Sequence, residues 1–223
     1  MTGPRSRGQH AGLTREVVLA TAVELVDEHG LAALSMRRLG GELGVEAMAL
    51  YHHVGSKEEL LDGLVEHLFA EVLSAPGGKA EGGHPGDEQA WRPVLRTFAR
   101  TMVEILLAHP NLVPVVLSRP ATTPQVHGLL EELLGALRDA GLHPGQALDL
   151  IYAVISLVLS HVATGGDSGN SSATRRQVLR AQDLSDFPLL EQAAREESDH
   201  RSDPFEATLE ALFAWFDPEV SQV

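Results

Sequence analysis

The chain has 223 residues, of which 43% are hydrophobic and 22% charged, so it can fill a core and wholesale disorder is excluded. With no cysteine, disulfide frameworks, thiolate zinc sites and cysteine nucleophiles are excluded together. The net charge of −14 argues against a uniformly nucleic-acid-coated protein, but its distribution matters more than its sum. Residues 1–57 carry six basic and six acidic side chains, whereas the rest carries 11 basic and 25 acidic ones. A neutral head on an acidic body points to two parts with different partners. The longest apolar run, Leu150 to Leu159 broken only by Ser156, is about half the roughly 20 residues that span a bilayer. MTGPRSRGQHAG at the N-terminus lacks the apolar centre of a secretory signal. A cytoplasmic protein without a membrane partner is expected.

Helical periodicity recurs throughout, and no segment alternates as a strand would. In LTREVVLATAVELVDEHG, Thr14 caps a first helix, Val18, Ala22, Leu25 and Val26 form its apolar face, and Gly30 stops it. Ser35 caps a second, Met36 to Leu43, with Leu34 and Leu39 as a hydrophobic staple. Gly44 ends it, and a third follows at about Ala47 to His53. Ser56-Lys57-Glu58-Glu59 is a capping box that opens a long helix carrying Leu60, Leu61, Leu64, Val65, Leu68, Phe69 and Val72. Ala75 to Glu88 is Gly/Pro-rich and reads as a flexible connection. Helices are then expected at about 89–108, 111–117, 124–140, 145–164 and 204–216, with a weaker one near 187–197 and a polar Gly/Ser loop from Gly165 to Thr174.

The second and third helices lie so close that Ser35 to Val54 has the layout of a helix-turn-helix. Leu39, Leu43, Val45, Leu50 and Val54 point inward, Gly44 supplies the positive φ of the turn, and Gly40 permits close approach. The third helix is too short to stand alone; helices one and four would hold it as a rigid element fit for a DNA major groove. An ordinary helical hairpin is the alternative on pattern alone.

From Leu13 to about Val72, with LAALSMRRLGGELGVEAMALYHHVGSKEELL at its centre, the chain resembles the DNA-binding head of the TetR family of bacterial repressors. Gly40 departs from that family's usual alanine and is expected to cost its helix roughly 1 kcal/mol. Trp91, the Ser118-Arg119-Pro120 run and the apolar helix near 147–163 are similar to the tetracycline-repressor branch. The resemblance implies an all-α protein: a flexible arm at 1–12, a three-helix helix-turn-helix domain at 13–57, and a larger helical ligand-binding and dimerisation body at 58–223. It further implies a ligand-released repressor that binds a palindromic double-stranded operator as a homodimer. Leu73, Phe98 and Val115 fall where that branch uses a histidine, an asparagine and a histidine to hold a magnesium–drug complex. Three apolar residues cannot ligate a hard cation, so no cofactor or metal is expected and the inducer is a small, mostly apolar organic molecule.

In the head, Ser35 and Arg37 stand at the start of helix two, where the family sends an arginine to a guanine. Glu46, Ala47, Met48 and Ala49 open helix three, the part that faces base edges. Ala47, Met48 and Ala49 have no donors and would read shape and thymine methyls, although Met48 could equally plug the core. Tyr51, His53 and Lys57 are expected on phosphates and His52 on bases or backbone. A metal reading of His52–His53 is disfavoured because neighbouring helix positions diverge by about 100°. Arg5 and Arg7 could reach a minor groove or belong to a disordered tail.

In the body, Phe98, Met102, Val115, Ser118, Arg119 and His127 are ligand-pocket candidates, the apolar ones equally plain core. Leu150, Val154, Leu157 and His161 form one stripe of their helix, and Ile151, Ile155, Val158 and Val162 another. The first stripe, with Leu209, Leu212, Phe213 and Phe216, is taken as the dimer interface, though either stripe could face the partner. An enzyme is the rival of another class, but HExxH, G-x-S-x-G and P-loop motifs are absent. An architectural DNA binder without a ligand is the second rival.

Overall fold

The structure is a computed structural model, and it describes residues 13–75, 90–119, 123–165, 172–196 and 203–216. Every element among them is helical. In order these are α1 (Arg15–His29), α2 (Met36–Leu43), α3 (Ala47–Val54), α4 (Lys57–Ser74), α5 (Trp91–Ala108), α6 (Val113–Ser118), α7 (Pro124–Asp139), α8 (Pro144–Ala163), α9 (Ser172–Arg180), α10 (Pro188–Arg195) and α11 (Pro204–Trp215). Short 3-10 turns at Leu31–Ala33 and Pro110–Leu112 precede α2 and α6. Arg5, Arg7 and most of the expected connection at 75–88 lie outside the described residues.

The chain divides into two compact units. The first joins the N-terminal residues through Ser74 to Ala108–Glu131; the second holds Ala75–Leu107 and Glu132–Val223. The first unit thus extends past the head expected at 13–57, taking in α4 and the α6 segment.

In the first unit α1 packs on α2, α3 and α4. Its expected face is buried: Val18, Ala22, Leu25 and Val26 are all within the core. Thr14 caps it, with Val17 N–H donating to Thr14 Oγ1 at 3.3 Å. On α4 every expected apolar residue is buried except Leu61, which is half-exposed. Close approach of α1 and α4 needs Gly63, because a Cβ there would sit 2.7 Å from Leu19 Cδ2. Beside it, Arg15 reaches the buried Glu66 carboxylate at 2.6 Å, which keeps that charge compensated.

In the second unit α8 and α11 pack together. Trp91 of α5 meets Phe213 of α11 edge-on at 5.4 Å, a favoured aromatic geometry. Ion pairs line the same helices: Arg100 Nε donates to Glu206 Oε1 at 2.6 Å, and Arg96 pairs with Glu206 and Glu210. By length and composition α8 is apolar enough to cross a membrane, more so than its uninterrupted run suggested. Its Leu150, Ile151, Val154 and Val158 are nevertheless fully buried within the chain, as in a core helix.

Two expectations are corrected here. The polar loop drawn to Thr174 gives way to α9 from Ser172, whose sequence SATRRQVLR has a serine start and good helix formers but little apolar content. α9 packs on α10, and the Arg180 side chain donates to the C-terminal carbonyls of Ala194 and Arg195, a tertiary contact that local pattern cannot disclose. The stripe expected at a dimer interface is in part buried within the chain. Leu150, Val154, Leu209 and Phe213 are buried within the single chain, so they belong to the protomer's own core, while Leu157, His161, Leu212 and Phe216 remain half-exposed. His161 stacks its ring on Phe205 at 4.7 Å. The apolar residues most exposed on α8 and α11 are instead Tyr152 (50%) and Trp215 (74%). Ile155 and Leu159 are half-exposed on the α8 face that Tyr152 shares.

Candidate nucleic-acid interface

Two glycines shape the turn between α2 and α3. Gly44 is left-handed, at φ 67° and ψ 27°. Its N–H donates to Gly41 O at 3.2 Å, and Val45 N–H donates to Gly40 O at 2.9 Å. This Schellman pair satisfies the last carbonyls of α2 and turns the chain at once into α3. Gly40 is required by contact: a Cβ there would lie 2.8 Å from Val45 O and 3.3 Å from Ala47 N. Its helix-propensity cost, the expectation drawn from sequence, is therefore set against a close backbone approach that alanine would push apart. Leu39, Leu50 and Val54 are buried as expected, and Leu43 and Val45 are half-exposed.

This packing leaves one edge of each helix to solvent. Ser35 caps α2, receiving the Arg38 N–H at 3.2 Å, and is itself exposed beside the exposed Arg37. On α3, Met48 is 71% and Tyr51 42% exposed. The core-plug alternative for Met48 is therefore out. Glu46 and His52 are exposed too, and Ala47, Ala49 and His53 half-exposed. The Glu46 side chain makes no capping bond to α3.

Lys57 opens α4 and is exposed. Before it, Ser56 Oγ accepts the Glu59 N–H at 3.1 Å and donates to Glu59 Oε1 at 3.2 Å. Half of the capping box thus differs from the usual form. The Ser56 N–H already donates to Val54 O at 2.7 Å, so Glu59 turns to the hydroxyl instead. Arg37, Tyr51, His52 and Lys57 are thus exposed and His53 half-exposed, side-chain types that suit phosphates and base edges.

Three contacts that sequence reading missed tie this head to the α6 segment. His109 Nδ1 donates to Asp27 Oδ2 at 2.6 Å. Asn111 Nδ2 donates to both Val26 O and Asp27 O at 3.1 Å, capping the C-terminal carbonyls of α1. At the far end of α6, Arg119 donates to Glu58 O at 3.1 Å and pairs with the Glu58 and Asp62 carboxylates. Burial works against the Arg119 charge, but these bonds outweigh it and raise its pKa. Both ends of α6 are thereby fastened to helices of the head. His109 and Asn111 flank Pro110 in a short turn, the one local sign that their side chains cap something.

The remaining pocket candidates are divided. Phe98 and Met102 are buried in the second unit, and Val115 in the first. Ser118 donates to Val115 O at 3.2 Å, and His127 is exposed. Leu73 is buried as well. Among the described residues no group of three or more His, Cys, Asp or Glu could hold a metal ion.

Comparison with known proteins agrees with this geometry. Residues 18–64 match the family described as bacterial regulatory proteins, tetR family, and residues 84–214 match the tetracyclin repressor-like C-terminal domain. The chain belongs to the TetR family. It is 34% identical over 159 residues to the transcriptional repressor DrrR1 of Streptomyces coeruleorubidus, a match that covers 71% of this chain and 56% of that protein. It is 31% identical over 160 residues to the class C tetracycline repressor of Escherichia coli, covering 70% of this chain and 69% of that one. The TetR-family protein ActR of Streptomyces coelicolor, solved with actinorhodin, superposes with a TM-score of 0.70 at 28% identity, covering 95% of this chain and all of that one. In this TetR-family chain the α2–α3 unit is the DNA-binding motif, and the protein is a transcriptional regulator with a helical ligand-binding body.

Proposed function

We propose that this regulator is a repressor that holds a palindromic operator as a homodimer and leaves it when a small organic effector binds. The exposed edge from Arg37 to Lys57 carries the reading. Arg37 reads a guanine, Tyr51, His53 and Lys57 engage phosphates, and the α3 tip enters the major groove. The dimer forms through the apolar stripe of α8 and α11, where Tyr152, Ile155, Leu159, Leu212 and Trp215 would otherwise stand in water. DNA binding by the symmetric pair accounts for the protein's action, with no catalytic step, and places it in the cytoplasm with its DNA.

The effector has an apolar body received by Phe98 and Met102. Relatives support an organic ligand, since ActR is solved with actinorhodin and with (S)-DNPA. Tetracycline is disfavoured although tetracycline repressors are among the relatives, because Leu73, Phe98 and Val115 offer no oxygen or nitrogen to a magnesium–drug complex. α5 ends at Ala108, six residues after Met102, and the His109–Asn111 cap follows it in the chain. An effector shifts the equilibrium by its preference for the released state and no more.

The test is release from operator DNA, titrated with actinorhodin, (S)-DNPA, tetracycline plus magnesium, and a panel of apolar natural products. Release by one or more apolar compounds at micromolar levels, and none by tetracycline with magnesium, is expected. Full release by the metal–drug complex would overturn the ligand reading.

A further inference from the structure

What the tip of α3 reads follows from what it lacks. Base pairs differ in the major groove by their donors, their acceptors and one apolar mark, the C5 methyl of thymine. Ala47, Met48 and Ala49 carry no donor, and Met48 is 71% exposed on a helix whose Leu50 and Val54 are buried. An unbranched thioether is a good partner for a small apolar group of irregular surroundings. Tyr51 and His52 lie three and four residues on, on the same helix face. That face is held firmly, because the backbone at Val45–Ala47 rests against Gly40 with no room for a methyl group between them.

We propose that Met48 reads the C5 methyl of a pyrimidine in each half-site, and that the protein is in consequence sensitive to cytosine C5 methylation at that position. The inference rests on the operator-binding reading above. Thymine and 5-methylcytosine share the C5 methyl and differ at the exocyclic oxygen or amine of C4. A side chain with neither donor nor strong acceptor is indifferent to that second difference. A cytosine under Met48 is therefore a poor base until it is methylated. Glu46, two residues earlier and with its side chain making no capping bond to α3, is the neighbour able to accept from a cytosine amine; a position read by Glu46 would favour cytosine over thymine with or without the methyl.

The experiment begins with sites selected from random DNA by the full chain. At each pyrimidine position of one half-site four duplexes are made, with thymine or uracil opposite adenine and with cytosine or 5-methylcytosine opposite guanine. Each pair of duplexes differs by the methyl alone. At one position, thymine should bind over uracil and 5-methylcytosine over cytosine by similar factors of about four, the transfer of one methyl group from water. In Met48→Ala both ratios should fall towards one, with unchanged thermal stability because Met48 is exposed. Absence of any position with matched methyl dependence overturns the inference, as does its persistence in Met48→Ala. If no sequence is selected at all, the operator reading itself falls, a distinct result.

Discussion

Arg37 and Lys57 are both exposed cations of the head, and the proposed reading gives them different work. Arg37, next to the cap of α2, is placed to meet a base edge, so Arg37→Ala should cost about 1–3 kcal/mol at one operator position and relax discrimination there. Lys57, at the start of α4, is proposed to meet a phosphate; Lys57→Ala should weaken all sequences nearly alike and reduce the salt-dependence slope by about one. Binding isotherms on operator and scrambled DNA at several salt concentrations separate the two. Gly40 makes a third residue-scale case. Its role in close approach was legible from sequence, but its propensity cost was read without the 2.8 Å distance that a Cβ would have to Val45 O. Gly40→Val should destabilise the protein by about 1–3 kcal/mol in chemical denaturation through overpacking, although valine is the better helix former. A neutral Gly40→Val would mean that α3 can retreat from α2 freely.

Helices of the head were legible nearly to the residue because caps, glycine stops and apolar periodicity agree there. Thr14, Ser35 and Gly44 each perform the bond their type suggests. The same logic failed at α9, where SATRRQVLR has too few apolar residues to show a face and is held by Arg180 reaching α10. It also failed for the fastening of α6, since side chains such as His109 and Asp27 are 82 residues apart. Arg119 illustrates the gap. It was one of the ligand-pocket candidates, and it is found bound to Glu58 and Asp62 of α4. The element it controls is therefore α6, and Arg119→Ala should leave effector affinity of the free protein nearly intact while removing about 0.5–2 kcal/mol of the coupling between effector and DNA. Effector titrations with and without saturating operator measure that coupling directly; an unchanged value would take Arg119 out of the signalling path.

At the scale of the molecule, the charge count set a neutral segment to residue 57 against an acidic remainder, whereas the first compact unit runs on through Ser74 and takes in Ala108–Glu131. Which stripe of α8 faces a partner was not legible, because a long helix apolar on several sides gives no sign of which side its own chain covers. Leu150 and Val154 are spent on the protomer's core, so the proposed interface uses Tyr152 and its neighbours. Tyr152→Glu combined with Trp215→Glu should convert dimer to monomer in analytical ultracentrifugation, because two apolar surfaces would each receive an uncompensated carboxylate. Leu150→Glu, by contrast, should unfold the protomer. A dimer that survives the paired substitution would place the interface elsewhere.

Two-fold symmetry of the proposed homodimer would be mirrored in its site, with half-sites about one helical turn apart or slightly more. The most direct measurement is therefore selection of bound sequences from random DNA, followed by affinities for the selected site and for one isolated half of it. The account predicts an inverted repeat, bound by the dimer far more tightly than the single half-site. Selection of no sequence, or a monomer at micromolar concentration that binds one half-site as tightly as the full repeat, would contradict it.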